Sequence, residues 1–192
     1  MTKSSLESAQ DTDILLRAAH DHDADVLVAL VQAAYRGEGG WTTETHLVDG
    51  QRTDADEIRE MLADPSVTLL VAERRSSDGS GTEVVGCCYT RRDPTDADGI
   101  DRAELGLFAV HPSAQSRGLG ARLLEAQAEQ QRTAGVDVLM IQVLQSRPEL
   151  HTWYERHGFV RTGLSVPFAG NVDWLKVAGL GMDVMERRLS AS

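Results

Sequence analysis

The most informative stretch of the chain is Phe108-Ala-Val-His-Pro-Ser-Ala-Gln-Ser-Arg-Gly-Leu-Gly-Ala121. An apolar strand runs into a turn that contains proline, and a glycine-containing loop then opens a long amphipathic helix. The first backbone N–H groups of a helix have no partner within it, and the helix dipole favours negative charge beside them. Gly118 and Gly120 would let a phosphate approach this backbone closely, and Arg117 and Arg122 would add positive charge. We therefore predict an anion-binding loop here.

Two common phosphate loops do not fit these residues. A P-loop requires Lys and then Ser or Thr after its last glycine, whereas Ala121 and Arg122 follow Gly120. A dinucleotide-binding loop requires a third Gly or Ala where Leu123 stands. It also belongs to a parallel βαβ unit, whereas the strands before this loop read as an antiparallel meander. A third kind of phosphate loop does match.

Gln115-Ser-Arg-Gly-Leu-Gly120 resembles the coenzyme A diphosphate loop of the GNAT N-acetyltransferases, which is written Q/R-x-x-G-x-G/A. Leu107-Phe-Ala-Val-His-Pro112 is similar to the fourth strand of that family. Trp153-Tyr-Glu-Arg-His-Gly-Phe159 is similar to the end of its last helix and the start of the next strand. The order of predicted elements agrees with the family from about Ile14 to Leu189.

The resemblance implies that acetyl-CoA is the cosubstrate. The backbone of Phe108, Ala109 and Val110 would pair with its pantetheine arm like an added strand, provided that the fourth and fifth strands splay apart. Phe108 and Val110 can be core residues as well, because these contacts involve only the main chain. Arg147 stands where many members carry an Asn that contacts the cofactor, and it either replaces that Asn or faces solvent. The loop residues implied to hold the cofactor are Gln115, Ser116, Arg117, Gly118, Leu119, Gly120 and Ala121.

The resemblance also suggests the catalytic groups. Tyr154 stands where the family has the general acid that protonates the departing thiolate of CoA; the alternative is that its hydroxyl caps a core contact. A base is needed because a protonated amine cannot attack a thioester. Glu104 is our candidate, because a two-residue strand period places it on the face of Phe108 and Val110. A solvated carboxylate at this position, with the base role passing to a water chain or to His111, is the alternative.

The loop between Gly37 and Thr53 is expected to border the acceptor, as the matching region does in the family. Its side chains suit a cationic or aromatic acceptor; the alternative is that Trp41 only anchors the loop and that the carboxylates are solvated. The formal net charge of −11 argues against nucleic acid as a partner and weakly favours a cationic acceptor. The candidate acceptor-binding residues are Glu38, Trp41, Glu44 and His46.

Length and composition indicate one soluble domain. The chain has 192 residues, of which 41% are apolar, and we expect a disordered tail over residues 1–12 before a domain over residues 13–190. We see neither a signal peptide nor a membrane-spanning run and expect a cytoplasmic protein. Cys87 and Cys88 lie in an apolar strand and are expected to be buried and reduced. We predict no metal.

The periodicities predict the order βααβββαβαββ and an α/β (α+β) fold, in which helices flank a mixed, mostly antiparallel sheet. The second, third and fourth strands should form the antiparallel meander, since short loops join them. Ser146 and Glu149 fit a capping box for the last helix. The buried face of the first helix is expected to carry Val26, Leu27, Leu30, Val31 and Ala34.

These features favour an N-acetyltransferase that moves an acetyl group from acetyl-CoA to the primary amine of a small molecule, by direct transfer in a ternary complex. No Ser or Cys stands in a nucleophile elbow, so no acyl-enzyme is implied. Two alternatives stay open: an acetyltransferase for protein N-termini or lysines, and a regulatory domain that binds acyl-CoA without turnover. The resemblance also allows a homodimer.

Overall fold

The computed structural model describes residues 14–37, 44–75, 81–93, 98–168, 170, 172–177 and 179–189. Helices and strands follow one another in the predicted order. They are β1 (Ile14–Ala18), α1 (Ala24–Arg36), α2 (Ala55–Ala63), β2 (Val67–Arg75), β3 (Thr82–Asp93), β4 (Arg102–Val110), α3 (Leu119–Thr133), β5 (Val138–Leu144), α4 (Pro148–Arg156), β6 (Val160–Pro167) and β7 (Gly181–Arg188).

The strands form one seven-stranded sheet in the order β1-β2-β3-β4-β5-β7-β6. All neighbours are antiparallel except β4 and β5, and the predicted meander of β2, β3 and β4 is confirmed. One core cluster joins the sheet to α3, through Leu119 and Leu123, and to α4, through Tyr154. A second joins it to α1, through Leu27 and Leu30, and to α2, through Ile58. The sheet therefore lies between two pairs of helices, as the predicted fold class requires.

The parallel pair β4 and β5 comes apart along its length. Arg102–Glu104 of β4 pair with Val138–Met140 of β5, and the pairing stops there. Yet β4 continues to Val110 and β5 continues to Leu144. The two strands are thus held together at one end and open at the other, as predicted for a fold that admits a ligand between them.

A β-bulge interrupts β4 just before the opening. Cys87 of β3 faces Ala109, whereas Tyr89 faces Gly106, so β4 contains one residue more than its partner over this stretch. Leu107 adopts a positive φ of 44° within the bulge. Such an extra residue shifts the alternation of side chains between the two faces of the strand by one position.

The bulge changes which side chains of β4 share a face. Leu105 packs in the core against α3, whereas Leu107 packs in the core against α1, although both occupy odd positions. Beyond the bulge, Val110 and Phe108 pack on the α3 side. Glu104 alternates with Leu105 and lies on the α1 side. The prediction that Glu104 shares a face with Phe108 and Val110 is therefore wrong, because a strict two-residue period ignores the bulge.

Two local predictions in the helices are also wrong. Val26 in α1 is 41% exposed, and Ala24 takes its place on the buried face with Leu27, Leu30, Val31 and Ala34. Ser146 does not cap α4, because the residue at the N-cap is Arg147 and no side chain accepts a hydrogen bond there. Glu149 instead accepts a hydrogen bond from Nε of Arg147.

Helix α3 is fastened to the sheet by buried amides as well as by apolar packing. The Nε2 atom of Gln127 donates to the carbonyl oxygens of Thr68 and Cys88, both at 3.0 Å. Its Oε1 atom accepts from Thr90 Oγ1 at 3.0 Å, and Gln131 donates to the same hydroxyl at 2.7 Å. These bonds fix the C-terminal half of α3 relative to β2 and β3. None of the helices in the described ranges has the length and apolar character needed to cross a membrane.

Candidate active site

A cavity of about 1380 Å³ crosses the molecule at the open end of β4 and β5. It begins at the loop before α3, passes between the separated strands, and ends beside α1 and α2. At the loop end it is lined by Gln115, Ser116, Gly118, Leu119, Gly120 and Ala121. The predicted anion-binding loop and the gap between the strands therefore belong to one continuous space.

The loop before α3 presents its backbone to this cavity. Ser116 and Gly118 both adopt positive φ values, 62° and 76°. The N–H of Arg122 makes a helical hydrogen bond to the Gly118 carbonyl at 3.1 Å, so the amides of residues 119–121 precede the regular helical bonding. These amides can hold an anion at the helix start. Arg117 is exposed and does not line the cavity, and Arg122 donates to the Ile14 carbonyl at 3.2 Å.

The strand residues predicted to meet the cofactor differ in where they point. Phe108 and Val110 line the cavity. Ala109 is fully buried, pairs with Cys87 of β3 and does not line the cavity. Any strand-like pairing with a ligand in the gap therefore falls to Phe108 and Val110. The Phe108 ring lies 5.9 Å from the ring of Trp153 in α4, which also lines the cavity.

Tyr154 lies on α4 at the middle of the cavity and is only 5% exposed. Its ring makes edge contacts with Trp153 and Phe159, at centroid distances of 4.9 and 5.3 Å. Burial raises the pKa of Tyr154 well above 10, and the nearby phenol of Tyr35 raises it further. The phenol therefore keeps its proton at neutral pH, as a general acid must. Among the described residues none hydrogen-bonds to its hydroxyl.

Glu104 also lines the cavity, on the α1 side of the sheet. Its Oε1 atom lies 3.5 Å from Nε2 of Gln142 in β5, and its charge acts on the phenol of Tyr89. The carboxylate thus stands where β4 and β5 begin to separate. His111, the alternative base, does not line the cavity, and its Nδ1 atom is 2.8 Å from the Ser113 hydroxyl.

Glu44 is the acidic group at the inner end of the cavity. Its carboxylate is nearly buried and lies 3.6 Å from Arg36 and 3.8 Å from Arg147. Burial raises the pKa of Glu44, and the positive charges of Arg52, Arg147 and Arg36 oppose this rise. Arg52 lies over the Tyr35 ring, 5.7 Å from its centroid. The inner end of the cavity therefore holds a desolvated carboxylate among guanidinium groups.

Arg147 neither faces solvent nor lines the cavity. Its side chain is 3% exposed, and the guanidinium pairs with Glu44 and Glu149. Arg147 was expected either to bind the cofactor or to face solvent. The second expectation is wrong, because Glu44 and Glu149 hold the guanidinium inside the protein. The pairing with Glu44 places Arg147 beside the inner end of the cavity.

The other predicted acceptor residues are not brought to the cavity. His46 is exposed and does not line it, and Glu38 and Trp41 lie outside the described residues. The segment that carries Glu44 is fastened to the chain before β7, because Val48 bridges Leu175 and Lys176 Nζ donates to the Thr45 carbonyl at 2.6 Å. Sequence reasoning missed the residues that do line this end, among them Tyr35, Arg52 and Trp174.

The two cysteines are buried, as predicted. Burial raises the pKa of Cys87 to about 12 and that of Cys88 well above its ordinary value. Both therefore remain thiols at neutral pH and are poor nucleophiles. Within the described ranges no three His, Cys, Asp or Glu side chains lie close enough together to hold a metal ion.

Comparison with known proteins agrees with this architecture. The family model described as an acetyltransferase (GNAT) domain matches residues 65–161, and the chain belongs to this family. The chain is similar in fold to yncA from Salmonella typhimurium, which was solved with its cofactor acetyl-CoA. The TM-score is 0.63 at 20% identity, over 94% of this chain and 96% of that one.

Two curated relatives are mycothiol acetyltransferases. The protein of Propionibacterium freudenreichii subsp. shermanii is 31% identical over 160 residues, which cover 80% of this chain and 46% of the relative. The protein of Rhodococcus jostii is 31% identical over 162 residues, which cover 82% of this chain and 49% of the relative. The chain thus spans about half the length of these curated relatives.

Proposed function

We propose that this protein is an N-acetyltransferase that moves an acetyl group from acetyl-CoA to the primary amine of a small molecule, directly and within a ternary complex. The observation that carries this proposal is the continuous cavity that joins the amide-lined start of α3 to Tyr154 and then to Glu44. Such a cavity can hold the two substrates end to end, so that the thioester and the amine meet in the middle.

The cofactor half of the proposal rests on backbone groups. The amides of residues 116–121 would hold the diphosphate, and the cleft edge of Phe108 and Val110 would run beside the pantetheine arm. Because no cavity-lining residue in this loop carries a negative side chain, the anion meets no like charge there. The related fold of yncA, which binds acetyl-CoA, supports this arrangement. When bound, acetyl-CoA supplies an activated acyl group as a thioester.

Glu104 and Tyr154 would handle the protons. Glu104 accepts a proton from the acceptor ammonium, directly or through water, which gives the free amine a lone pair for attack. As the new C–N bond forms, the C–S bond breaks, and Tyr154 donates its proton to the sulfur that leaves. The proton lost by the amine in forming the amide restores the phenol. Burial of Tyr154 supports its role, because a phenol with a raised pKa enters the reaction in its acid form.

Several features favour a small acceptor. The segment around Glu44 is fastened to the chain before β7, which limits the room for a folded protein at that end. Glu44 offers a carboxylate for an ammonium group, and Tyr35 and Trp174 offer aromatic walls. The curated relatives carry the name mycothiol acetyltransferase. A deep, closed pocket at this end would favour a small acceptor, and an open groove would favour a protein chain.

The proposal is tested by measuring thiol released from acetyl-CoA, with a panel of small primary amines beside peptides that carry free N-termini or lysines. Release with small amines supports the proposal, and release with peptides alone moves the acceptor class to proteins. Calorimetric titration with CoA accompanies the assay. Tight CoA binding without thiol release across the panel would identify a domain that binds acyl-CoA without turnover.

A further inference from the structure

Beyond the bulge, the edge of β4 that faces the gap to β5, here called the cleft edge, has unusual backbone hydrogen bonds. The N–H of His111 donates to the Val85 carbonyl of β3 at 2.9 Å. Since backbone groups alternate in direction along a strand, Ala109 also faces β3, whereas Phe108 and Val110 face the cleft. β5 does not pair with this part of β4, so the carbonyls of Phe108 and Val110 and the amide of Val110 are directed into the open gap.

Side chains occupy both of these carbonyls. The hydroxyl of Tyr35, at the end of α1, donates to the Phe108 carbonyl at 2.9 Å. The Nε2 atom of Gln115, in the diphosphate loop, donates to the Val110 carbonyl at 2.9 Å. Val110 stands opposite Gly86 of β3, next to the bonded position of His111, so its amide points away from β3 and into the gap. Two side chains from different elements thus occupy the carbonyls of this edge and leave the Val110 amide directed into the gap.

We propose that Tyr35 is a positioning residue for acetyl transfer, assisted by Gln115. By holding the Phe108 carbonyl, Tyr35 fixes the peptide plane between Phe108 and Ala109, and the amide of Val110 in the next plane is thereby aimed at the thioester carbonyl oxygen. This inference rests on the proposed function. It assigns a role to a tyrosine that contacts neither the loop nor the acid Tyr154 through a hydrogen bond.

The chemistry explains why such fixing matters. The thioester oxygen gains negative charge as the amine attacks and loses it as the C–S bond breaks. Amides that are already aligned stabilise this charge without reorganising, whereas mobile amides do not. A bulge that contains a positive φ at Leu107 is a weak support by itself, because the ladder to β3 is interrupted there. The hydroxyl of Tyr35 supplies the missing restraint from the opposite side.

The surroundings of Tyr35 keep it a hydrogen-bond donor. Burial raises the pKa of its phenol far above the ordinary value, and the negative charge of Glu44 and the thiol of Cys87 raise it further. The positive charges of Arg52 and Arg147 act in the opposite direction. A phenol that stays protonated across the physiological range donates to the Phe108 carbonyl throughout.

The test compares wild type with Tyr35→Phe, which keeps the ring and removes the hydroxyl. We expect kcat to fall roughly three- to tenfold, the loss of one neutral hydrogen bond expressed in the transition state. The Kd of CoA, which has no thioester carbonyl, should stay within about twofold. With acetyl-CoA labelled with ¹³C at the carbonyl, the infrared stretch of the bound thioester should move to higher frequency in the variant, because weaker hydrogen bonds polarise the carbonyl less.

Gln115→Met provides a second variant in case Tyr35→Phe does not fold, since it removes the other carbonyl contact without touching α1. It should lower kcat and shift the infrared band in the same direction. An unchanged kcat and band in a folded variant would overturn the inference. So would a loss of CoA affinity in Tyr35→Phe as large as its loss of kcat, which is what a general structural defect produces. Failure of the proposed function looks different, because the wild type itself would then release no thiol.

Discussion

Gly120 lies beneath the indole ring of Trp153, and a methyl group at position 120 would stand 3.4 Å from Cζ2 of that ring and 3.7 Å from Cε1 of Phe108. The glycine therefore brings the first turn of α3 against the aromatic side chains of α4 and β4. Gly118 differs, because its φ of 76° is what favours glycine there and open space surrounds it. The two glycines of the loop thus serve different physical purposes.

This contact predicts a graded response at position 120. Gly120→Ala should weaken CoA binding by less than about threefold, because its methyl group meets the indole at ordinary contact distance and alanine favours a helix. Gly120→Glu should abolish measurable binding, because its carboxylate would enter the anion site and repel the diphosphate. Calorimetry with CoA measures both. Retained affinity in the Glu variant, with an unchanged melting temperature, would mean that the diphosphate binds elsewhere.

A second prediction concerns Tyr154. Tyr154→Phe should lower kcat on the order of 100-fold, because the thiolate then leaves without a proton from the enzyme. The Kd of acetyl-CoA should change little, since the ring contacts with Trp153 and Phe159 remain. Steady-state kinetics and calorimetry on the same preparation separate the two effects. Equal turnover in the variant would remove the hydroxyl from the mechanism and leave Tyr154 as a packing residue.

Glu104 and Glu44 can be told apart by their pH dependence. Glu104→Gln should lower kcat/KM on the order of 100-fold near neutral pH, and the loss should shrink toward pH 10, where the acceptor amine loses its proton unaided. Glu44→Gln should instead raise the KM for a cationic acceptor and affect kcat less. In the wild type that KM should rise as pH falls toward the raised pKa of Glu44, because protonation removes the charge that holds the ammonium.

The matched pair makes the outcome decisive, since each variant serves as the control for the other. The two assignments must be exchanged if Glu44→Gln lowers kcat/KM near neutral pH and high pH restores it, while Glu104→Gln changes only the KM for the acceptor. The buried position of Glu44 among Arg36 and Arg147 is what makes that exchange a physical alternative.

The sequence predicted those features that depend on local patterns. The loop from Gln115 to Gly120 and the meander before it could be read from glycine spacing and short connections. Tyr154 could be located through its distance from Phe159. The buried face of α1 at Val26 and the capping box at Ser146 were local predictions that failed. The other failures depended on contacts between distant segments. No local signal showed that Tyr35 would reach the Phe108 carbonyl.

Glu104 shows the limit most clearly. Its place at the start of β4 was predicted, but its face was not, because the extra residue between Gly106 and Ala109 appears only when β4 is paired with β3. Gly106 is a trace of this bulge in the sequence, since glycine within a strand often marks one. The buried pair Gln127 and Gln131 shows the same limit, because polar residues on a helix normally face solvent.

The last prediction concerns the fixing of α4 on β7 by His151 and Asp183. His151 is 1% exposed; its Nδ1 atom lies 2.8 Å from the Arg147 carbonyl, and its Nε2 atom lies 3.2 Å from Oδ2 of Asp183. Hydrogen bonds from Gln145 and Ser165 lower the pKa of Asp183, and the charge of His151 lowers it further. A carboxylate whose pKa is lower in the folded state stabilises the fold above its unfolded pKa of about 3.9, and this contribution is lost as pH falls through the folded value.

Asp183→Asn should therefore reduce the free energy of unfolding by roughly 1.5–3 kcal/mol at pH 7, the range of a hydrogen bond to a charged group. The difference from wild type should shrink as pH falls below 4, because the wild-type carboxylate is then protonated as well. Urea unfolding at pH 7, 5 and 3.5 measures this. Asp49→Asn is the control, since Asp49 pairs with Lys176 at 2.7 Å on the surface, where its side chain is 64% exposed, and a surface pair contributes little. If the difference between Asp183→Asn and wild type is constant across pH, the packing of the Asp183 side chain, and not its charge, stabilises the contact of α4 with β7.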